Sequence, residues 1–200
     1  MNIQEDSKGY VIVKGLSKKH AENEEEALQM LFEGENNRTV AEHKLNRNSS
    51  RSHCIFTIHL EIRSKVESSE KVVMSKINLV DLAGSERTKK TGSEGKTLVE
   101  AQFINKSLSF LEQVVIALSE KQRDHIPYRQ NKLTYLLKDS IGGNSKTCMI
   151  ANVWPEASYL EESISTLKFA SRMMKVSNEI SVDMNLDPKL LLKKYEKDIR

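Results

Sequence analysis

Apolar side chains fall at every second position from Phe56 through Ile58 and Leu60 to Ile62, with Ile55, Thr57, His59 and Glu61 between them. That period of two, rich in β-branched and aromatic residues, predicts a strand over 54–62. The polar run 66–71 (VESSEK) predicts a turn, and 72–80 a second strand leading into Asp81. A shorter strand is expected at 10–13 (YVIV). Elsewhere the apolar spacing changes to three and four. Ala27, Leu28, Leu31 and Phe32 mark a helix over 24–35, and Ile104, Leu108, Leu111, Val115 and Leu118 put one apolar stripe on a long helix over 97–120. A third helix is expected over 131–141 with Leu133, Leu136 and Leu137 inward, stopped by Gly142 and Gly143. Residues 147–154 (TCMIANVW) are an almost unbroken apolar run halted by Pro155, the pattern of a strand covered on both faces. Ser158 with Glu161 reads as a capping box for a helix running to 175, with Ile164, Leu167, Ala170 and Met174 as its buried side. Residues 176–185 lack a period, and Asp187 with Pro188 suits the cap and first turn of a last helix. The order strand, helix, strand, strand, helix, helix, strand, helix predicts a layered α/β domain with helices on both faces of a sheet.

Composition narrows the class. With 200 residues, 38% of them apolar and 30% charged, the chain is long enough to bury a substantial core as one globular domain. No run approaches the roughly 18 apolar residues of a membrane span, and the start MNIQEDSKGY has neither the basic flank nor the apolar stretch of a secretory signal. A protein facing the cytosol, without membrane partners, is expected. Cys54 and Cys148 make no disulfide framework and no zinc spacing, and read as ordinary buried thiols. A net charge of +3 is too small for a general nucleic-acid binder. The charges are nonetheless clustered. Arg87, Lys89, Lys90 and Lys96 stand against Glu94, and Lys121, Arg123, Arg129, Lys132 and Lys138 against Asp124. On charge alone these are either solvated loops or two binding surfaces.

Two loops carry candidate chemistry. Asp81 ends an apolar strand, where an open α/β sheet presents ligands to a nucleotide, and it suits a Mg2+-bound water. Gly84 has no side chain to keep its amide from a phosphate oxygen. The same pattern also serves as a simple turn or cap. Upstream, Ser49 and Ser50 offer adjacent hydroxyls to Mg2+ or an attacking water, and Arg51 with Glu86 makes a plausible pair joining the loops. Taken alone, SSRS is equally a polar loop or a phosphorylation site. Loops ordered by a γ-phosphate and its Mg2+, then released on hydrolysis, use such parts.

Residues 46–53 (NRNSSRSH) and 81–86 (DLAGSE) resemble the switch I and switch II signatures of kinesins. The resemblance continues in family order through 104–108 (INKSL), 126–129 (IPYR), 132–134 (KLT), Asp139 with Ser140, Gly142 to Asn144 and 167–170 (LKFA), and covers 1–175. It implies an incomplete kinesin-type P-loop NTPase domain, α/β with a central, mostly parallel sheet and helices on both faces. It also implies roles. Asn46, Ser49, Ser50, Asp81 and Gly84 surround ATP and Mg2+, with Ser50 and Asp81 on the metal side. Gly84 senses the γ-phosphate, and Arg51 with Glu86 closes the site for in-line attack of water, a reaction catalysed by positioning and electrostatics. Lys89, Lys90, Lys96, His125, Tyr128, Arg129 and Lys132 are the implied contacts to the acidic surface of tubulin in a microtubule.

A phosphate loop, G-x-x-x-x-G-K-[ST], is not among these residues. Gly95-Lys96-Thr97 imitates its end, but position 90 is Lys where the pattern requires Gly, and it follows switch II instead of a first strand. The family's first strands, adenine pocket and phosphate loop are expected before Met1, and these 200 residues alone are expected to hydrolyse ATP negligibly. Residues 176–187 fall where the neck linker belongs. Residues 188–200, with Leu191, Tyr195 and Ile199, begin a helix that is either a surface helix or the start of a coiled-coil stalk for self-association. Residues 107–132 and the tail are most similar to class nine kinesins, which points to the cytoskeleton of the cytoplasm and the axoneme of cilia or flagella. A truncated, non-hydrolysing binder of microtubules or another partner is the alternative, and the intact Ser50, Asp81, Gly84, Arg51 and Glu86 argue against it. No N-K-x-D base-recognition motif supports a GTPase.

Overall fold

The computed structural model describes residues 2–7, 9–38, 52–63, 71–84, 96–120, 123, 125–182 and 184–186, with positions 192, 195, 196 and 199 beyond; at 71, 96–104 and 184–186 the backbone alone is described. The chain falls into two compact units, one of residues 1–53 with 82–180 and the other of 54–81 with 181–200. Among the described residues no helix is long and apolar enough to cross a membrane.

The first unit opens on an antiparallel pair, β1 (Asn2–Glu5) and β2 (Val11–Lys14), in which Ile3 faces Val13. The turn between them needs Gly9 at φ 84°, and Asp6 holds it by accepting the amides of Gly9 on its carbonyl and Tyr10 on its carboxylate. β1 has no counterpart in the expectations, because NIQE contains a single apolar residue and therefore no period.

Helix α1 (Glu24–Asn36) starts where predicted. Asn23 caps it by accepting the Glu26 amide at 2.9 Å, Glu26 reaches back to the Glu22 amide at 2.9 Å, and three glutamates in the first turn suit the positive end of the helix dipole. Helix α2 (Lys96–Ser119) supplies the core of this unit through Leu111, Val114, Val115 and Ala117. Leu133, Leu137 and Ile141 complete that core. The helix expected over 131–141 is regular only in α3 (Lys132–Leu136), capped by Asn131 Oδ1 on the Leu133 amide at 2.8 Å. It then loosens into turns that lead to Gly142 at φ 78°.

Four expectations are corrected beyond this point. Residues 147–154 are not a buried strand. They run without pairing to another described strand and stay exposed, Ile150 at 83%, and Cys148 is exposed with them. An apolar run states a demand for cover, but a strand also needs a ladder partner, and none of the described strands supplies it. Helix α4 (Leu160–Met173) lacks the predicted capping box, because a 3-10 turn over Ala157–Tyr159 takes up Ser158 and shifts the α start to Leu160. Its supposed inner side is exposed at Ile164, Leu167 and Met174; the buried residue of α4 is Ser163, whose hydroxyl bonds both the amide and the carbonyl of Trp154. The aperiodic stretch after α4 is anchored by Asn178, which accepts the Gly142 amide at 2.8 Å and donates to the carbonyls of Ser145 at 2.6 Å and Ser140 at 3.2 Å.

The second unit is a three-stranded antiparallel sheet ordered β3 (Cys54–Arg63), β4 (Lys71–Asp81), β5 (Met184–Leu186). Cys54 lies opposite Asp81 and Arg63 opposite Val72, and Thr57 donates to its cross-strand partner Asn78 at 2.9 Å. A connection of only 64–70 permits no other pairing than antiparallel. All strand pairings among the described residues are antiparallel, and the mixed helix-and-sheet class agrees with the expected α/β fold. The alternation along β3 does not become alternating burial: Leu60 and Ile62 are exposed, as are Ile77 and Leu79 on β4.

Candidate functional site

The β3–β4 register decides where the two signatures emerge. β3 starts one residue after His53, β4 ends at Asp81, and Cys54 faces Asp81, so both segments leave the same end of one strand pair. Asp81 is exposed there, and Gly84 is exposed three residues on. Asn46, Ser49, Ser50, Arg51 and Glu86 lie outside the described residues, as do Lys89 and Lys90.

Within the first unit the ends of the two signatures are tied together. His53 Nδ1 accepts the backbone amide of Ala83 at 3.1 Å, and its Nε2 lies 2.6 Å from Ser107 Oγ on α2. Arg38, just past α1, donates from Nη2 to the Ser52 carbonyl at 2.8 Å and from Nε to Ser52 Oγ at 3.4 Å, and pairs with Glu35 at 3.5 Å. Its side chain is almost fully covered. Arg38 carries no pattern of its own in the sequence, and Ser107 lies within the INKSL segment, which names no partner for it. His53 is the last letter of NRNSSRSH, but nothing there discloses its partners.

The second basic cluster forms a surface around α3. His125, Arg129 and Lys132 are exposed, Arg129 to 74% of its side chain. Glu5 of β1 lies against this surface, bonding Arg129 Nη2 at 3.1 Å and Lys138 Nζ at 2.8 Å. Lys138 first, then Arg129, holds the Glu5 carboxyl below the usual carboxylate range, and Glu5 in turn raises Arg129. Arg129 also sits 5.8 Å over the Tyr135 ring, which together with Glu5 fixes the guanidinium direction. Tyr128 differs from its neighbours. It is half-buried and its hydroxyl donates inward to the Ile141 carbonyl at 2.5 Å. Burial, and after it the Asp139 charge, pushes its phenol up to about 12. At Lys96 only the backbone, the first residue of α2, is described.

As for metal chemistry, no group of three or more His, Cys, Asp or Glu among the described residues is gathered to hold an ion.

A family model described as the kinesin motor domain matches residues 1–176. The chain belongs to the kinesin motor-domain family. Kinesin-like protein KIF9 of Homo sapiens is 55% identical over 199 residues, covering 100% of this chain and 25% of that protein. Kinesin-like protein KLP1 of Chlamydomonas reinhardtii is 54% identical over 198 residues, covering 99% and 25%. The chain thus spans about a quarter of the length of these curated relatives. Among solved structures, a KIF14 dimer in a two-heads-bound state with AMP-PNP, in complex with a microtubule, superposes with a TM-score of 0.88 at 40% identity, over 96% of this chain and 55% of that one. KIF14 with ADP in complex with a microtubule gives 0.74 at 39% identity, over 92% and 53%.

Proposed function

We propose that this chain is the γ-phosphate-sensing and filament-binding part of an ATP-driven, microtubule-based motor. The observation that supports the reading is the Cys54–Asp81 register, which sets the residue that follows the first signature opposite the residue that opens the second. A hydrolysis-sensitive switch requires that both signatures respond to the same terminal phosphate. In this reading Asn46, Ser49 and Ser50 approach the nucleotide from the first loop. Asp81 holds the metal shell through water, and the Gly84 amide meets the γ-phosphate. Mg2+, when bound, neutralises charge on the β- and γ-oxygens. Arg51 and Glu86 close the loops and fix the lytic water for in-line attack.

The filament face is the exposed set His125, Arg129 and Lys132, joined by Lys89 and Lys90 ahead of α2 and by Lys96 at its first position, and its partner is the acidic surface of tubulin. Tyr128 supports that face from below. Relatives solved with AMP-PNP or ADP on microtubules support the nucleotide and the filament. Similarity to class nine kinesins supports a place in the cytoskeleton, at the axoneme of a cilium or flagellum. Helical backbone at 192, 195, 196 and 199 supports a helix after the neck segment, the start of a stalk for self-association. The test is co-sedimentation of the complete motor with microtubules in AMP-PNP and in ADP. Binding that is tighter in AMP-PNP is expected, and equal binding in both contradicts the switch.

A further inference from the structure

His53 has no part in the chemistry assigned above, yet its ring bonds both a signature turn and a long helix. A backbone amide only donates, so the nitrogen that takes the Ala83 N–H at 3.1 Å, Nδ1, carries no proton. The ring proton of the neutral imidazole is then on Nε2 and is donated to Ser107 Oγ at 2.6 Å. Both ends of this tie are shielded from water, Ala83 at 5% exposure and Ser107 at 6%. Ala83 is the residue immediately before Gly84. Ser107 stands one turn ahead of Leu111 and two ahead of Val114 and Val115, the most buried stretch of α2. An imidazole ring has no internal torsion, so a displacement of the Ala83 amide that moves one nitrogen moves the other. A flexible side chain or a bridging water would absorb the same displacement.

We infer that His53 is a positioning residue that couples the Gly84 turn to helix α2, carrying a shift at the phosphate-facing amide into the helix that leads from the filament-facing loop. The inference rests on the assignment of Gly84 to the γ-phosphate. It makes His53 and Ser107 links in series, a relation that simple packing does not impose.

The test uses the complete motor and the ratio of its microtubule affinities in AMP-PNP and ADP. His53→Asn keeps an acceptor where Nδ1 was and loses the donor to Ser107; His53→Gln keeps the donor and loses the acceptor. Each of these, and Ser107→Ala, is expected to lower the ratio about five- to tenfold, the weight of one neutral hydrogen bond. The double variant His53→Asn with Ser107→Ala is expected to be no worse than either single one, because a broken series link leaves nothing for the second break to remove. Imidazole 15N spectra of the wild-type motor, which need no variant to fold, are expected to give an unprotonated Nδ1 and a protonated Nε2. A wild-type ratio well above one that the variants leave intact, additive losses in the double variant, or the opposite tautomer overturns the coupling. A wild-type ratio of one overturns the switch assignment itself, and the coupling with it.

Discussion

Thr134→Val replaces one buried hydroxyl by a methyl of the same shape and so weighs a single pair of hydrogen bonds. Thr134 is 0% exposed, and its Oγ1 bonds the Tyr128 carbonyl at 2.6 Å and the Asn131 carbonyl at 2.9 Å. The Asn131 carbonyl keeps the Tyr135 amide at 3.0 Å in the variant, so the loss falls mainly on Tyr128. No cavity opens, and the cost is that of a buried acceptor deprived of its donor, about 1–3 kcal/mol. At roughly 2–4 °C per kcal/mol for a chain of this size, a central loss of ~2 kcal/mol lowers Tm by about 4–8 °C. Because Tyr128 opens the 3-10 turn that carries Arg129, microtubule affinity falls along with stability. Thr134→Ser keeps the hydroxyl and gives up one methyl, and is expected to lose about 1 kcal/mol while retaining affinity. Thermal unfolding and co-sedimentation of the three proteins side by side make the check. A Val variant as stable as wild type, or a Ser variant worse than Val, refutes the assignment of the stability to the hydroxyl.

Glu5→Gln removes the acid that neutralises Arg129 and Lys138, so microtubule affinity at low salt is expected to rise about two- to fivefold with a steeper salt dependence, and a fall in affinity measured by salt titration contradicts this. Gly142→Ala places a Cβ 2.6 Å from Leu118 Cδ2 at φ 78°, and by strain plus overpacking is expected to cost ~2–4 kcal/mol in denaturant titration. Gly9→Ala, at φ 84° with nothing within 4 Å, is expected to cost only the backbone part, about 1 kcal/mol. Tyr128 has a phenol raised to about 12 from an ordinary 10, so its neutral form is the one favoured by folding: its contribution is fully present below pH 10 and is lost as pH climbs through 10 to 12. Unfolding followed between pH 9 and 12 is expected to show that loss, and Tyr128→Phe is expected to flatten it.

Much of this fold was legible because its long elements are periodic. The bounds of α1 and α2 fall within a residue of those expected from apolar spacing, and β3 and β4 end at the positions that their flanking polar runs mark. What escaped is what period does not encode. β1 and β5 are four and three residues long, too short to show an alternation. The run 147–154 and the apolar side of α4 state how much cover those residues demand without naming what covers them. At the site, the sequence set one expected strand after the first signature and another before the second, and it is the register that puts Cys54 opposite Asp81. The bonds that organise the surroundings join residues far apart in the chain. His53 reaches Ser107 across 54 positions and Glu5 reaches Lys138 across 133, and no local pattern anticipates either. Tyr128 belongs to the IPYR segment, and that motif does not disclose that its hydroxyl donates to the Ile141 carbonyl.

In the proposed function the two loops sense a γ-phosphate and act together in its hydrolysis, through Arg51 and Glu86. The most direct test of this is Glu86→Ala in the complete motor, followed by microtubule-stimulated ATP turnover alongside AMP-PNP-dependent microtubule binding. Turnover is expected to fall by about a hundredfold or more with nucleotide-dependent binding retained. Turnover equal to that of the wild type contradicts it.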